Sequence, residues 1–181
     1  MIQLMLYLLK NFQVYNMTHD DLVQRAAKWL KRDHCIVVTE LTDYESADAI
    51  GYRANGLSTL IECKTSVSDF RADSNKSFRT DVEAGMGYTR YYLTPKGLLN
   101  PFLIPKQWGL LECWGSKVHK IKEPTFFTKY NRKREMSQLI SILRRIGFNR
   151  PNGVNIKVYT HNDNDKCRAT VSFEDFEDYC I

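Results

Sequence analysis

Between Ala47 and Thr65 the chain writes two short apolar runs around an Asn55-Gly56 pair, and both runs carry charge. Asn-Gly suits the positive-φ positions of a tight hairpin loop, so the runs are expected to be neighbouring antiparallel strands. Side chains alternate along a strand, which puts Glu62 and Lys64 on one face and Ile61, Cys63 and Thr65 on the other. A charge inside a buried strand is costly unless it is paired or holds a metal. The hairpin also sets Asp48 opposite a residue between Ile61 and Lys64, close to Glu62. Carboxylates that near raise one another's pKa unless a cation joins them. A hard divalent cation fits, and Mg²⁺ is the usual partner of two carboxylates, water and substrate phosphate. Lys64 reaches the same space, where an ammonium can orient a water or offset charge developing on phosphorus. The plainer reading is a salt bridge at the sheet edge, and spacing alone does not choose between the two.

The surrounding pattern predicts what this hairpin packs into. Thr18 with Asp21 makes a capping-box start, and Leu22, Val23, Ala26, Ala27, Trp29 and Leu30 form an apolar stripe to about Arg32. Cys35 to Glu40 reads as a buried β-branched strand, Ala47 to Arg53 as a second and Leu57 to Thr65 as a third. Ser66 and Asp69 then suggest a helix reaching Val82 to Ala84, ended by Gly85-Met86-Gly87. Thr89 to Thr94 is a fourth strand, so the strand–helix–strand unit implies a crossover to a parallel neighbour. Trp108 to Trp114 is a fifth strand. Asn131 to Ile146 is a helix whose expected core face is Met136, Leu139, Ile140, Leu143 and Ile146. The resulting class is α/β, an α-β-β-β-α-β order with a mixed sheet flanked by helices. Val154 to Thr160 and Arg168 to Phe173 suggest a C-terminal β-hairpin. Three segments follow: an N-terminal extension over 1–16, a main domain over 17–150 and the hairpin appendage over 151–181.

Charge and cysteine usage narrow the setting. The net charge is +5, but ten Lys or Arg against two acids fall between Lys117 and Arg150, which points to a polyanionic partner or to a solvated helix flank. The five cysteines lack zinc-ligand spacing, and Cys35, Cys63 and Cys113 sit in apolar runs. Such usage is expected of a reduced, cytoplasmic protein. Met1 to Leu9 is apolar but too short to cross a bilayer, and it lacks the marks of a signal peptide. Tyr91 and Tyr92 are read as core and sheet-face packing ahead of base-stacking platforms, and Trp108 and Trp114, which bracket a strand, as core or rim.

With these residues in place, the chain resembles the PD-(D/E)XK nuclease superfamily, the restriction-endonuclease-like fold. Asp48 stands where that motif has its first acid, after Ala47 rather than Pro, and Glu62-Cys63-Lys64 matches the (D/E)-x-K. The run from Glu62 through Thr65, Ser66, Asp69, Phe70, Arg71 and Asp73 to Lys76 is similar to one in the MmcB-like DNA-repair nucleases and their phage-borne relatives. Tyr91 to Pro95 and Pro105 to Leu111 look like later strands of that family.

The resemblance implies divalent-metal-dependent hydrolysis of a nucleic-acid phosphodiester, by a DNA endonuclease of repair, recombination or phage DNA processing. Asp48, Glu62 and the Cys63 backbone carbonyl would hold Mg²⁺ or Mn²⁺, and Lys64 would position or activate water. Glu40 is the candidate additional acid, an open fourth member of the site and possible metal ligand, ahead of Asp20 and Asp21. Arg71, Lys76, Arg132, Lys133 and Arg134 are candidate phosphate contacts, although Asp69, Arg71, Asp73 and Lys76 also read as a surface charge set. DNA is the expected partner ahead of RNA, no membrane is expected, and a homo-oligomer stays open. The competing reading is a catalytically inactive or partner-dependent nucleic-acid-binding module of the same fold.

Overall fold

Thr18 starts the first helix as its neighbours predict. Its hydroxyl accepts from Asp21 N and its own N–H donates to the Asp21 carboxylate, both at 3.1 Å. The helix that follows, α1, spans His19–Leu30 and buries Leu22, Val23, Ala26, Ala27 and Leu30. This structure, a computed structural model, describes residues 17–39, 47–73, 75–76, 79, 81, 83–147 and 157–160.

After α1 come β1 (Ile36–Thr39), β2 (Ala49–Tyr52) and β3 (Ser58–Cys63), each antiparallel to the one before. Ile50 pairs with Leu60 and Ala49 with Ile61, so the ladder extended by one residue faces Asp48 to Glu62. Gly56 turns the hairpin at φ 78°. The short helix α2 (Val67–Asp73) crosses over to β4 (Thr89–Pro95), which runs parallel to β3. A 3-10 turn at Pro101–Leu103 precedes β5 (Gly109–Trp114), parallel to β4, and β6 (Lys117–Lys122) returns antiparallel. Helix α3 (Arg132–Gly147) and β7 (Lys157–Thr160) complete the elements among the described residues. The strand order is β6-β5-β4-β3-β2-β1-β7, with β7 antiparallel to β1. The chain is therefore an α/β protein with a mixed sheet. The second strand expected in the C-terminal hairpin lies outside the described residues.

Two cores form on the two faces of this sheet. On one, α1 covers Val37, Ala49, Ile61, Cys63, Leu93 and Leu111. On the other, Val38, Ile50, Leu60, Tyr92 and Leu110 pack with Trp108, Phe127 and Ile142, with Phe70 against them. Ile61 and Cys63 thus face α1 while Leu60 faces the opposite core, which is the alternation expected of β3.

Three expectations are corrected. Helix α2 stops at Asp73 rather than continuing to Val82–Ala84. Ser74 and Asn75 are poor helix formers, and Asp73 is drawn into the protein by the contacts described below. Strand β6 was not anticipated; its Lys-rich, largely exposed sequence has the character of an edge strand guarded by charge. Helix α3 turns a partly different face inward: Glu135, Gln138 and Ile142 are buried and Leu139 packs against the core as expected, while Met136, Ile140 and Leu143 are exposed and the Ile146 side chain lies outside the described residues. The anchor is polar, because Glu135 Oε1 accepts from Ser58 Oγ at 2.6 Å and from Gly87 N at 2.8 Å. A hydrophobicity pattern does not register such a tether. No helix among the described residues is long and apolar enough to cross a membrane.

Candidate metal and phosphodiester site

The C-terminal end of β3 collects the charged residues singled out in the sequence. Asp48 Oδ2 accepts a 2.7 Å hydrogen bond from Cys63 N, which ties the β2 entry to the β3 exit. Its other oxygen lies 3.2 Å from His19 Nε2 in the first turn of α1. That hydrogen bond is the largest influence on His19 and raises its pKa. Lys64 continues the pairing of β3 with β4 by donating its backbone N–H to Leu93 O at 2.9 Å.

Glu62 is 2% exposed and faces two cations. Lys64 Nζ donates to Glu62 Oε2 at 3.3 Å, and Arg79 Nη2 lies 3.0 Å from Oε1. The Arg79 contact satisfies charge but not hydrogen-bond direction, so among the described residues no donor is aimed at Oε1. Burial pushes the Glu62 pKa up to about 6; Arg79 opposes this and Asp48 reinforces it. For Lys64 the balance runs the other way. Burial would lower its pKa, but Glu62, Asp73, Asp69 and Asp48 outweigh burial and raise it. Lys64 is consequently a fixed ammonium, suited to orienting a water or countering negative charge and unsuited to accepting a proton.

Asp73 is the centre of the cluster that the sequence did not single out as such. It is 1% exposed. Arg79 Nε donates to Asp73 Oδ2 at 2.7 Å and Tyr92 Oη donates to the same oxygen at 2.9 Å. Lys64 Nζ stands 3.3 Å and Lys76 Nζ 2.9 Å from Oδ1. Burial would raise the Asp73 pKa, but Arg79, Lys76 and Lys64 together hold it well below the usual carboxylate range. Arg79 also lies over the Trp108 ring at 4.6 Å, and Trp108 is stacked on Tyr92.

The structure thus brings together Asp48, Glu62, Cys63 and Lys64. Lys76 is committed to Asp73 as an i,i+3 pair, as the surface-charge reading had it, although Asp73 itself is buried. Arg71 is exposed on α2, beside the cluster. Arg132, Lys133 and Arg134 open α3, whose first turn is fastened to Ser58 at the other end of β3. Ser58 and Glu62 are four residues apart, about 13 Å along the strand. Those three are not brought to the site. Glu40 lies outside the described residues. Sequence reasoning missed His19, Arg79 and the role of Tyr92. His19 left a weak sign, as the first residue after a capping Thr in the helix that must cover β2 and β3. Arg79 left none, because no periodic element carries it.

The donor chemistry can be weighed against a divalent ion. Among the described residues no three His, Cys, Asp or Glu side chains form a group able to hold a metal. Two carboxylates and a backbone carbonyl are nevertheless hard oxygen donors of the kind Mg²⁺ takes when water and substrate phosphate complete its shell. The undirected Glu62 Oε1 is an acceptor still open to a partner. The residues fit an ion shared with substrate, not one caged by protein.

No family model matches the chain, and no curated protein matches it. Among solved structures, a protein of unknown function from Silicibacter pomeroyi aligns at TM-score 0.55 and 18% identity, covering 77% of this chain and 99% of its own. At that identity the likeness extends to the fold alone.

Proposed function

We propose that the protein hydrolyses nucleic-acid phosphodiester bonds with the help of a divalent metal, as a PD-(D/E)XK nuclease acting on DNA. The observation that carries this reading is the convergence of Asp48, Glu62 and Lys64 at one end of β3, in an α-β-β-β-α-β chain order. Asp48, Glu62 and the Cys63 carbonyl would hold Mg²⁺ or Mn²⁺. Such an ion supplies Lewis-acid charge and a more acidic water in sites of this kind.

The remaining work falls to side chains. Lys64, kept protonated by its acidic neighbours, orients the attacking water and offsets charge building on the phosphate. Asp73 and Arg79 hold Lys64 and Glu62 in position. Cys63 N fixes the Asp48 carboxylate. Glu62 acts as a ligand only when ionised.

A second reading has an observation in its favour. Lys64 and Arg79 already face Glu62 with two positive charges, so the cluster is balanced without a metal. That suits a binding module without turnover. The readings separate when purified protein is incubated with plasmid, single-stranded DNA and RNA, with Mg²⁺ or Mn²⁺ and with chelator. The nuclease reading expects metal-dependent cleavage by wild type and none by Glu62→Ala. Binding of DNA with no cleavage by either protein defeats it.

A further inference from the structure

Beside the charged cluster, α2 and the β4–β5 connection enclose an open cleft of about 510 Å³. Its walls include Phe70, Tyr92, Leu103, Pro105 and Trp108, with Arg71, Arg79 and Lys106 as the charges. No acid is among the described residues that line it. An apolar cleft with cations alone at its margin suits a flat apolar group joined to an anion.

The rim has a second unusual feature. Phe102 is 94% exposed and Leu103 64% exposed, yet the turn that presents them is well tied down. The Asn100 side chain accepts from Phe102 N at 3.0 Å, Leu103 N donates to Asn100 O at 2.9 Å, and Ile104 N donates to Pro101 O at 3.3 Å. Leu99 and Ile104 on either side are buried. Two large apolar side chains are thus held out on a fixed turn, Leu103 in the cleft wall and Phe102 next to it in sequence. Proteins use such side chains to wedge between bases and to stack on unpaired ones.

Tyr92 and Trp108 stack on each other with centroids 4.4 Å apart and Phe70 meets Tyr92 edge-on at 5.0 Å, so an incoming ring would lie along the Phe70 and Leu103 side of this aromatic wall. Arg79 belongs both to the cleft wall and to the Glu62 ion pair, so cleft and cluster are contiguous.

We propose that this cleft seats one unpaired nucleotide of the substrate strand, its base against Phe70 and Leu103 and its phosphate toward Arg71 and Lys106. Phe102 stacks on or separates the neighbouring base. The substrate is then single-stranded nucleic acid, or a duplex end or junction with an unpaired base. This specifies the substrate of the proposed nuclease and rests on that reading for its place in catalysis.

The test is metal-free binding, in chelator, of a short single strand carrying 2-aminopurine and of the matching duplex. Wild type is expected to prefer the single strand and to change the fluorescence of the probe base. The Phe102→Ala/Leu103→Ala double variant, with both side chains exposed in the fold, should bind the single strand about tenfold more weakly. Its duplex binding should be unchanged. Lys106→Glu should weaken single-strand binding and flatten its salt dependence. Equal single-strand affinity in the double variant, equal losses on both substrates, or a wild-type preference for duplex overturns the proposal. Because no turnover is needed, the preference can persist in a protein that never cleaves. That outcome removes the nuclease reading and keeps the nucleotide seat.

Discussion

The two ends of β3 bury polar side chains in opposite ways. At the Ser58 end the buried groups are mostly neutral and hydrogen-bonded, although Tyr52 Oη, across the ladder from Ser58, has no hydrogen-bond partner among the described residues. His34 Nδ1 contacts Leu30 O and its Nε2 contacts Thr59 Oγ1, both at 2.9 Å, and burial lowers the pKa of the ring. The Thr59 and Thr89 hydroxyls lie 2.7 Å apart, while Ser58 donates to Glu135 and accepts from Tyr88 N at 3.0 Å. At the Glu62 end, Glu62, Lys64, Asp73 and Arg79 are packed together, and one oxygen of Glu62 still lacks a directed donor. A fold needs only the first arrangement. The second carries a desolvation cost that packing does not require, a property shared by functional sites and by structural ion-pair networks.

Substitutions can break this contrast. The largest effect is expected from Asp73→Asn, which leaves Arg79 and Lys64 short of a buried carboxylate and should cost about 3–5 kcal/mol in urea unfolding. The loss should itself depend on pH. The folded Asp73 pKa lies below its ordinary 3.8, so its contribution is present above that value and fades as pH falls through the acid range. The gap between wild type and variant should therefore narrow in strong acid. Next comes Lys64→Ala, expected to slow metal-dependent cleavage on the order of 10²–10³-fold, measured on single-stranded DNA.

Ser58→Ala probes the other end. It strips a donor from buried Glu135 and should lower stability by about 1–3 kcal/mol, with the cleavage rate of the folded protein unchanged. A parallel loss of cleavage would show that the two ends are not separate. Glu62→Gln should do the reverse in metal-free buffer. The Glu62 pKa is raised from 4.5 to about 6, so wild type loses stability as pH rises through that window. The variant should be the more stable of the two at neutral pH, and inactive. Thermal melts at pH 4 and pH 7 check the sign. Lys76→Ala should have the smallest effect, under about 1 kcal/mol, because its ammonium is partly solvated.

How much of this was legible in the sequence follows the range of the interactions. Local signals were sound: the Thr18–Asp21 box, the Asn55-Gly56 hairpin and the alternation of Ile61, Glu62 and Cys63 depend on neighbours within one turn or one ladder. The pairing of Asp48 with the exit of β3 followed from the hairpin register. Long-range polar contacts were not legible. Nothing near Glu135 signals that it will bond to Ser58, 77 residues away, and turn the helix face that was expected to lie inside. Arg79 falls in the same class. Asp73 looked like a surface acid at helical spacing, and only the return of β4 with Tyr92 buries it.

The most direct test of the Glu62 end is Mn²⁺ binding followed by electron paramagnetic resonance, which requires no turnover. Wild type and Ser58→Ala should both bind the ion, while Asp48→Ala and Glu62→Gln should lose it. Binding that survives both carboxylate substitutions, or wild type that does not bind Mn²⁺ even with DNA present, would contradict a metal site there.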